Sequence, residues 1–397
     1  MERSTEVIVI GGGPTGLTAA IALAGAGVET ALIRGTPPAD NRTTALLASS
    51  VAALEALGVW QTCCAQAAPL KTMRIVDGTR RLWRAPEVRF SAHEIGLDAF
   101  GWNIENQHLL AALSGRAAQL TNLAIISGQA ATIRFEPDNV EVDTGGRTVL
   151  RARLLVGADG RTSRSRQAAG IETTRRSTRQ TALTFNLSHT RPHNNISTEF
   201  HTEQGPFTLV PLPGRRSSLV CVVAQRAADR IMGLDAAALA EDLERRSHFI
   251  LGALTVEAGR ASFALSVETA RRYTAHRLVL VGEAAHVVPP IGAQGLNLGL
   301  RDAAMIAEIV GDARHAGTDI GGPAVTQAYE RLRRVDVASR VLAVDLLNRS
   351  LLPDFLPLQG ARGLGLYALN RFGPLRRGLM RAGVRAPFAP RLMRERR

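Results

Sequence analysis

The sequence of 397 residues has few aromatic residues and few cysteines. Tryptophan, tyrosine and phenylalanine make up 4% of it, so a surface that binds nucleic acid by stacking on the bases is not expected. Cys63 and Cys64 are adjacent and Cys221 stands alone, which fits neither a disulfide framework nor a metal-ligand spacing. We therefore predict no metal site and favour a reducing, cytoplasmic environment.

Lysine is almost absent, since Lys71 is the only one, and the net charge of +13 comes mainly from arginine. The segment Phe355–Arg397 has ten arginines and one acidic residue, Glu395, and carries +9 of the total. The rest of the chain is nearly balanced, so no nucleic-acid partner is predicted. Apolar residues alternate with the arginines in this segment: Leu364, Leu366, Tyr367, Leu369, Phe372, Leu375, Leu379 and Met380. The pattern suits an anionic membrane surface or an acidic partner, or terminal helices packed on the body with solvated arginines.

A convincing transmembrane run is also missing. Val7–Val28 has no charged residue, but its glycines and Pro14 predict a strand, a turn and a helix instead of a span. No small-residue cleavage site follows the N-terminal residues. The expected location is the cytoplasm, with peripheral contact at the inner membrane left open.

The apolar pattern predicts an α/β fold. A strand at Glu6–Ile10, a helix at Pro14–Ala26 and a strand at Val28–Ile33 form a βαβ unit. Helical spacing continues over Thr44–Leu57, and the character becomes β-rich from Thr181 to Val223. The sequence thus indicates a nucleotide-binding domain interrupted by a β-rich insertion, followed by arginine-rich helices.

The first motif is a G-x-G-x-x-G between the first strand and the first helix: Gly11, Gly12, Gly13, Pro14, Thr15 and Gly16. In this pattern Gly11 makes the tight turn, Gly13 lets a pyrophosphate approach the backbone, and Gly16 lets helix and strand pack closely. The helix N-terminus then offers free N–H groups to phosphates. This predicts dinucleotide binding, although Arg34 stands where an acidic residue usually holds the ribose.

Two further motifs place acidic residues after buried strands. Asp159 and Gly160 follow the apolar run Leu154–Val156, and taken alone they are typical of an ordinary Asp-Gly turn. Glu283 follows the strand Leu278–Val281, at the strand end where ligands bind in such sheets. Further on, a glycine-rich loop with two prolines opens a helix near Leu296, whose free N–H groups would stabilise negative charge on a planar cofactor.

These motifs, in this order, resemble the class A flavoprotein monooxygenases, the para-hydroxybenzoate hydroxylase-like family. Within it, the chain most resembles the ubiquinone-biosynthesis hydroxylases of the UbiH/UbiF type, from Val7 to about Arg385. The likeness is carried by the run Gly292-Ala293-Gln294-Gly295-Leu296-Asn297-Leu298-Gly299-Leu300-Arg301-Asp302, by Asp40-Asn41-Arg42-Thr43-Thr44-Ala45 and by Glu105-Asn106-Gln107. The fold that it implies is a FAD-binding Rossmann-like domain with an inserted β-rich substrate domain and a helical C-terminal end.

The resemblance also implies which residues contact the cofactor. The glycines of the first motif, with Pro14 and Thr15, would bind the ADP part of FAD. Arg42 and Gln107 would contact the cofactor, Asp159 and Gly160 would lie by the pyrophosphate and serve the passing NAD(P)H, and Glu283 would hold the ribityl chain. Gly295, Leu296 and Asn297 would bind the flavin pyrimidine edge. Pro290, Gly292 and Gly295 are the candidate catalytic positions, in the loop at the reactive face.

Two residues depart from simple expectation. Glu283 stands where the family usually has aspartate, and its extra methylene requires a re-formed or water-bridged ribityl contact. His286 invites a catalytic role, but a structural histidine is the favoured interpretation.

The family division implies six segments. The FAD-binding domain is expected at 1–75, 101–172 and 271–345, the substrate domain at 76–100 and 173–270, and basic amphipathic helices at 346–397.

By the same resemblance, the function is hydroxylation of the aromatic ring of a polyprenyl phenol in ubiquinone biosynthesis. NAD(P)H or another reductant and O2 would react through a flavin hydroperoxide, with quinone-biosynthesis proteins as further partners. Two alternatives stay open: a hydroxylase of a soluble aromatic or polyketide substrate, and a non-catalytic flavoprotein subunit of a quinone-synthesis assembly, which Arg34 and Glu283 motivate. A flavin halogenase is disfavoured, because the chain has no Trp-x-Trp-x-Ile-Pro run.

Overall fold

The fold is taken from a computed structural model of the chain. It describes residues 2–36, 40–79, 86–146, 148–289, 293–351, 371–384 and 389–394. Pro290 and Gly292, together with much of the basic C-terminal segment, lie outside the described residues.

A six-stranded, mainly parallel sheet forms the centre of the nucleotide-binding part. Its order is β20-β21-β13-β2-β3-β9. The strands are β2 (Val7–Ile10), β3 (Thr30–Arg34), β9 (Leu123–Ser127), β13 (Leu154–Gly157), β20 (Thr274–Ala275) and β21 (Leu278–Leu280). β2, β13 and β21 are buried along their whole length, as the continuous apolar runs of a parallel sheet require. The predicted βαβ unit is confirmed.

The described residues also form helices, some of which pack on this sheet. Asp235 caps the helix Ala236–Arg246, and its side chain accepts a hydrogen bond from the N–H of Ala238. The helices of the described residues are α1 (Pro14–Gly25), α2 (Ala48–Ala56), α3 (Trp60–Cys63), α4 (Asn106–Ala118), α5 (Arg164–Ala168), α6 (Gln225–Met232), α7 (Ala236–Arg246), α8 (Gln294–His315), α9 (Pro323–Leu351) and α10 (Gly373–Val384). Short 3-10 turns lie at Cys64–Gln66, Ala92–Ile95, Gly282–Ala284 and Arg391–Met393.

A nine-stranded sheet makes up the β-rich part. Its order is β22-β19-β14-β17-β16-β15-β6-β7, with β18 paired to β14. The strands are β6 (Thr72–Asp77), β7 (Val88–Ser91), β14 (Thr173–His189), β15 (Ile196–Thr202), β16 (Gly205–Leu212), β17 (Arg216–Ala224), β18 (Leu254–Val256), β19 (Ala261–Ala270) and β22 (His286–Val287). Two segments far apart in sequence thus meet in one sheet. β6 begins at Thr72, within the first segment assigned to the FAD-binding domain, and the six-segment division stays a prediction.

Two smaller sheets complete the fold. Their strands are β1 (Glu2–Ser4), β10 (Thr132–Phe135), β11 (Val140–Asp143) and β12 (Val149–Ala152) in one, and β4 (Thr43–Leu47), β5 (Ala67–Pro69) and β8 (Gly101–Glu105) in the other. The predicted helix over Thr44–Leu57 is therefore wrong in its first turn. Thr43–Leu47 pairs antiparallel with Gly101–Glu105, a long-range pairing that local helical spacing does not reveal.

No helix in the described part of the chain is both long enough and apolar enough to cross a membrane.

Candidate active site

The first glycine loop joins β2 to α1 by close backbone packing. Gly11 has a φ of +128°, and a Cβ on it would lie 2.1 Å from the carbonyl oxygen of Ala158. A Cβ on Gly16 would lie 2.0 Å from the carbonyl oxygen of Gly11. Gly13, by contrast, faces open space. Two glycines are therefore required by the fold, and the third leaves the loop accessible.

The first turn of α1 is open at this loop. Pro14 occupies the first position of the helix, and no described side chain caps it. Its leading N–H groups and the positive end of its dipole are thus available to an anion. This geometry fits the pyrophosphate of a dinucleotide.

Arg34 ends β3 beside the first glycine loop. A Cβ on Gly12 would lie 2.6 Å from the Arg34 Cβ. The Arg34 Nη1 donates a hydrogen bond to the Ser114 Oγ at 3.0 Å. The guanidinium is thus tied to α4.

Asp159 stabilises the turn that follows β13. Its Oδ1 accepts a hydrogen bond from the Ser163 Oγ at 2.5 Å, and its Oδ2 accepts one from the Ser165 N–H at 2.9 Å. Gly160 has a φ of +76° and open space beside its Cα. The Asp159 carboxylate thus organises the start of α5, while Gly160 leaves the loop accessible.

Glu283 lies in the 3-10 turn after β21, at the carboxyl end of the central sheet. Its side chain is 56% exposed, and its Oε2 lies 3.5 Å from the Arg161 Nε. Arg166 is buried and donates from Nη1 to the carbonyl oxygen of Ala284 at 2.9 Å. Arg161 and Arg166, which follow Asp159 in the chain, therefore both contact this turn. The Glu283 carboxylate stays accessible to a ligand.

The second glycine loop leads into α8. Ala293, just before the helix, has a φ of +56°, which is rare for a residue with a side chain. No described side chain caps the helix. Gly295 is exposed with open space beside it, and Leu296 is half-buried. A second open helix N-terminus is thus present, where the flavin edge was expected.

The Asn297 side chain ties α8 to β4. Its Oδ1 accepts a hydrogen bond from the Leu47 N–H at 2.9 Å, and its Nδ2 donates to the carbonyl oxygen of Ala45 at 2.8 Å. Since the amide is already used, a contact from Asn297 to a cofactor would come from its backbone.

Thr15 lies where the two loops meet. A Cβ on Gly282 would lie 3.0 Å from its Oγ1, and a Cβ on Gly299 would lie 2.4 Å from the same atom. The first turn of α1 is therefore in contact with the Glu283 turn and with α8. The start of α1 thus packs on the second turn of α8, and two uncapped helix N-termini in one region fit a cofactor with a pyrophosphate at one end and a ring that gains negative charge at the other.

Arg42 is held by an acidic partner just before β4. Its Nε and Nη2 each donate to the Asp40 carboxylate at 2.7 Å, and the Asn106 Nδ2 donates to the same carboxylate at 2.8 Å. Burial raises the pKa of Asp40, but these hydrogen bonds outweigh it and lower the pKa below its usual value. Gln107, the predicted cofactor contact, is exposed at the start of α4. The neighbouring Asn106 is linked to Arg42 instead, because both side chains donate to the Asp40 carboxylate.

A small pocket, partly open to solvent, lies between the Arg42 segment and the nine-stranded sheet. Its lining residues are Asn41, Arg42, Thr43, Thr184, Phe185, Asn186, Ser218, Leu219, Val220 and Gly259. Two of these lining residues are bonded to each other, since the Asn186 Nδ2 donates to the carbonyl oxygen of Asn41 at 3.0 Å. The pocket thus adjoins the segment expected to contact the cofactor.

A cluster of buried charges underlies the second glycine loop, and we call it the buried charge cluster: His286, Arg301, Asp302, Arg333 and Asp336. The Asp302 Oδ2 is 2.7 Å from the His286 Nε2 and accepts the Gly282 N–H at 2.8 Å. The Asp302 Oδ1 accepts the Arg333 Nε at 2.7 Å. One carboxylate thus fixes the turn that carries Glu283.

The buried charge cluster extends to the start of α8. Arg301 and Arg333 both donate to the Asp336 carboxylate, at 3.0 and 2.5 Å. Arg340 reaches Asp336 with its Nε and the Gln294 Oε1 with its Nη1, each at 3.2 Å. Sequence patterns missed Arg333, Asp336 and Arg340, because only the packing of α9 on α8 brings them to this loop.

Comparison with known proteins places these features in a family. The chain matches the FAD binding domain family over residues 4–343. Ubiquinone hydroxylase UbiL of Rhodospirillum rubrum is 35% identical, over 99% of this chain and 93% of that protein. The 3-demethoxyubiquinol 3-hydroxylase of Escherichia coli is 29% identical, over 94% and 97%.

Solved structures share the fold. The p-nitrophenol 4-monooxygenase PnpA of Pseudomonas putida has a TM-score of 0.79 at 20% identity, covering 98% of this chain and all of that one. HpxO of Klebsiella pneumoniae, solved with FAD and uric acid, has a TM-score of 0.76 at 19% identity and covers 96% of each chain. The predicted fold class is confirmed.

Proposed function

The chain belongs to the FAD-dependent class A monooxygenases that share this FAD binding domain, and we propose that it hydroxylates the aromatic ring of a polyprenyl phenol in ubiquinone biosynthesis. The observation that carries the proposal is the packing of the first turn of α1, at Thr15, on the Glu283 turn and on α8, with both helix N-termini uncapped by any described side chain. The proposal also draws on the printed functions of the two bacterial relatives.

The residues at the two loops divide the binding of FAD between them. Gly11, Gly13 and Gly16, with Pro14 and Thr15, hold the ADP part against α1. Arg42, Gln107, Asp159 and Gly160 contact the middle of the cofactor. Glu283 holds the ribityl chain, and the backbone of Gly295, Leu296 and Asn297 binds the pyrimidine edge.

The overall reaction replaces one ring C–H by C–OH. One atom of O2 enters the ring and the other leaves as water, with NAD(P)H giving two electrons and solvent one proton. FAD supplies the redox chemistry when bound. The chain's own part is to orient it and to stabilise negative charge with the N–H groups of α8. Pro290, Gly292 and Gly295 form the loop proposed to line the reactive face.

The test is the quinone-lipid profile of the source organism after deletion of the gene, measured by mass spectrometry. We expect a prenylated phenol lacking one oxygen to accumulate. Complementation with the gene under ¹⁸O2 should place one labelled oxygen in the recovered quinone. An unchanged profile, with turnover of a soluble aromatic compound by the purified protein, would favour a soluble-substrate hydroxylase instead. A protein that restores the lipid without retaining FAD would favour the non-catalytic subunit.

We also propose that the enzyme works as a peripheral protein at the inner membrane. Its support is the basic C-terminal segment, and the prenylated substrate would be found in the bilayer. Contact with other quinone-biosynthesis proteins is the competing use of that segment.

A further inference from the structure

Helix α10 has one face on the body of the protein and one face in solvent. Met380 is buried against Ala92 and Phe100. Away from this contact Leu375 is 55% exposed, Leu379 is 52% exposed, and Phe372 just before the helix is 60% exposed. Leu375 and Leu379 are four residues apart and therefore share one face of the helix.

The β7 edge of the nine-stranded sheet lies on the Met380 side of α10. Phe90 of β7 packs in the same cluster as Met380. Met73 of β6 is opposite Phe90 in the antiparallel register, so both side chains point to the side of the sheet on which α10 packs. Met73 is 42% exposed. We call Phe372, Leu375 and Leu379 the α10 surface, and Met73 is a further exposed apolar residue at the adjoining sheet edge.

The charged residues of the α10 segment itself all have one sign. Residues 371–384 contain four arginines and no acidic residue. Arg376 pairs with Glu94 of the body at 2.6 Å, while Arg371 and Arg381 are exposed. An apolar helix face bordered by arginines is complementary to an anionic bilayer. A second copy of the chain would bring like charges together, which disfavours self-association.

We propose that the α10 surface docks the protein on an anionic lipid surface. Phe372, Leu375, Leu379 and Met73 enter the boundary between head groups and acyl chains, and the arginines contact lipid phosphates. Docking in this way holds the β6–β7 edge of the nine-stranded sheet against the bilayer, where a prenylated substrate resides. The delivery of substrate rests on the proposed function, but lipid binding does not.

The test is flotation of the full-length, FAD-loaded protein with vesicles. One set contains phosphatidylcholine and phosphatidylglycerol, and the other contains phosphatidylcholine alone. We expect binding only to the mixed vesicles, and at least about a tenfold loss for the double variant Leu375→Gln/Leu379→Gln, because each buried leucine side chain contributes substantially to membrane partition. Arg371→Gln/Arg381→Gln should weaken binding and reduce its salt dependence.

Val335→Gln is the matched control, since Val335 is 62% exposed on α9. It should bind as the unmodified protein does. Equal binding by the leucine variant and the control, with the leucine variant still folded by its circular dichroism and FAD absorbance, would overturn the proposal. A dimer that the leucine substitutions dissociate, without vesicle binding, would also overturn it. Vesicle binding by a protein that hydroxylates no phenol would leave the docking surface intact and defeat the proposed function alone.

Discussion

The two glycine loops face one site but are held in place differently. The loop at Gly11–Gly16 is fixed by backbone atoms in near contact, with carbonyl oxygens about where a Cβ would be. The second loop, meaning here the Glu283 turn and the described residues that open α8, is held by side chains: Asp302 with the rest of the buried charge cluster, and the link from Asn297 to β4. The first loop requires glycines, which lack a Cβ, and the second requires buried charged side chains. Substitutions in the two loops should therefore destabilise the protein for different physical reasons.

The largest effect is expected in the first loop. In Gly16→Ala the new Cβ would overlap the carbonyl oxygen of Gly11, and neither backbone segment can move without separating α1 from β2. We expect a loss of at least about 4 kcal/mol in the free energy of unfolding, measured by chemical denaturation of the apoprotein.

Gly13→Ala is the control within the same loop. Its Cβ meets no atom within 4 Å, so stability should change by less than about 1 kcal/mol, whereas FAD affinity should fall because the methyl group occupies the approach to α1. Equal destabilisation by the two variants would contradict the steric account.

The next largest effect is expected from removing Asp302, a buried charge on α8 that supports the second loop. Asp302→Asn keeps the shape but leaves His286 and Arg333 without their anionic partner, and breaking such a buried pair costs about 3–5 kcal/mol. The control is Asp312→Asn, which breaks an exposed pair with Arg391 and should leave the denaturation midpoint nearly unchanged. Similar shifts for the two variants would show that the buried charge cluster does not hold the loop.

A pH titration separates the two loops further. Burial raises the pKa of Asp302, but the charges of His286 and Arg333 outweigh it and lower the pKa below its usual value. Since the folded-state pKa is below the unfolded value of about 3.9, this stabilisation is complete above that pH and is lost as the pH falls through the folded-state pKa. The difference in unfolding free energy between the natural protein and Asp302→Asn should therefore shrink below about pH 4. The difference between the natural protein and Gly16→Ala should not change in this way.

The contrast also explains what the sequence could predict. The first loop uses neighbouring residues, so its glycine spacing predicted both the fold and the open helix. In the second loop the motif located Glu283 and Asn297, but not Arg333 or Asp336, which lie on α9 and reach the loop only through packing. The same limit produced the wrong helix at Thr44–Leu47, where β8 and Asn297 override local spacing.

The smallest effect is expected where the second loop meets solvent, at Glu283. Its carboxylate is exposed and only 3.5 Å from Arg161, so Glu283→Asp and Glu283→Gln should both leave stability nearly unchanged. FAD affinity, measured by flavin fluorescence on titration of the apoprotein, should separate them. A carboxylate that binds a ribityl hydroxyl is kept by aspartate at a shorter reach and lost with glutamine, so Glu283→Gln should weaken binding more, by about tenfold. If glutamine binds FAD as well as glutamate does, then this side chain acts through its length and hydrogen-bonding atoms and not through its charge.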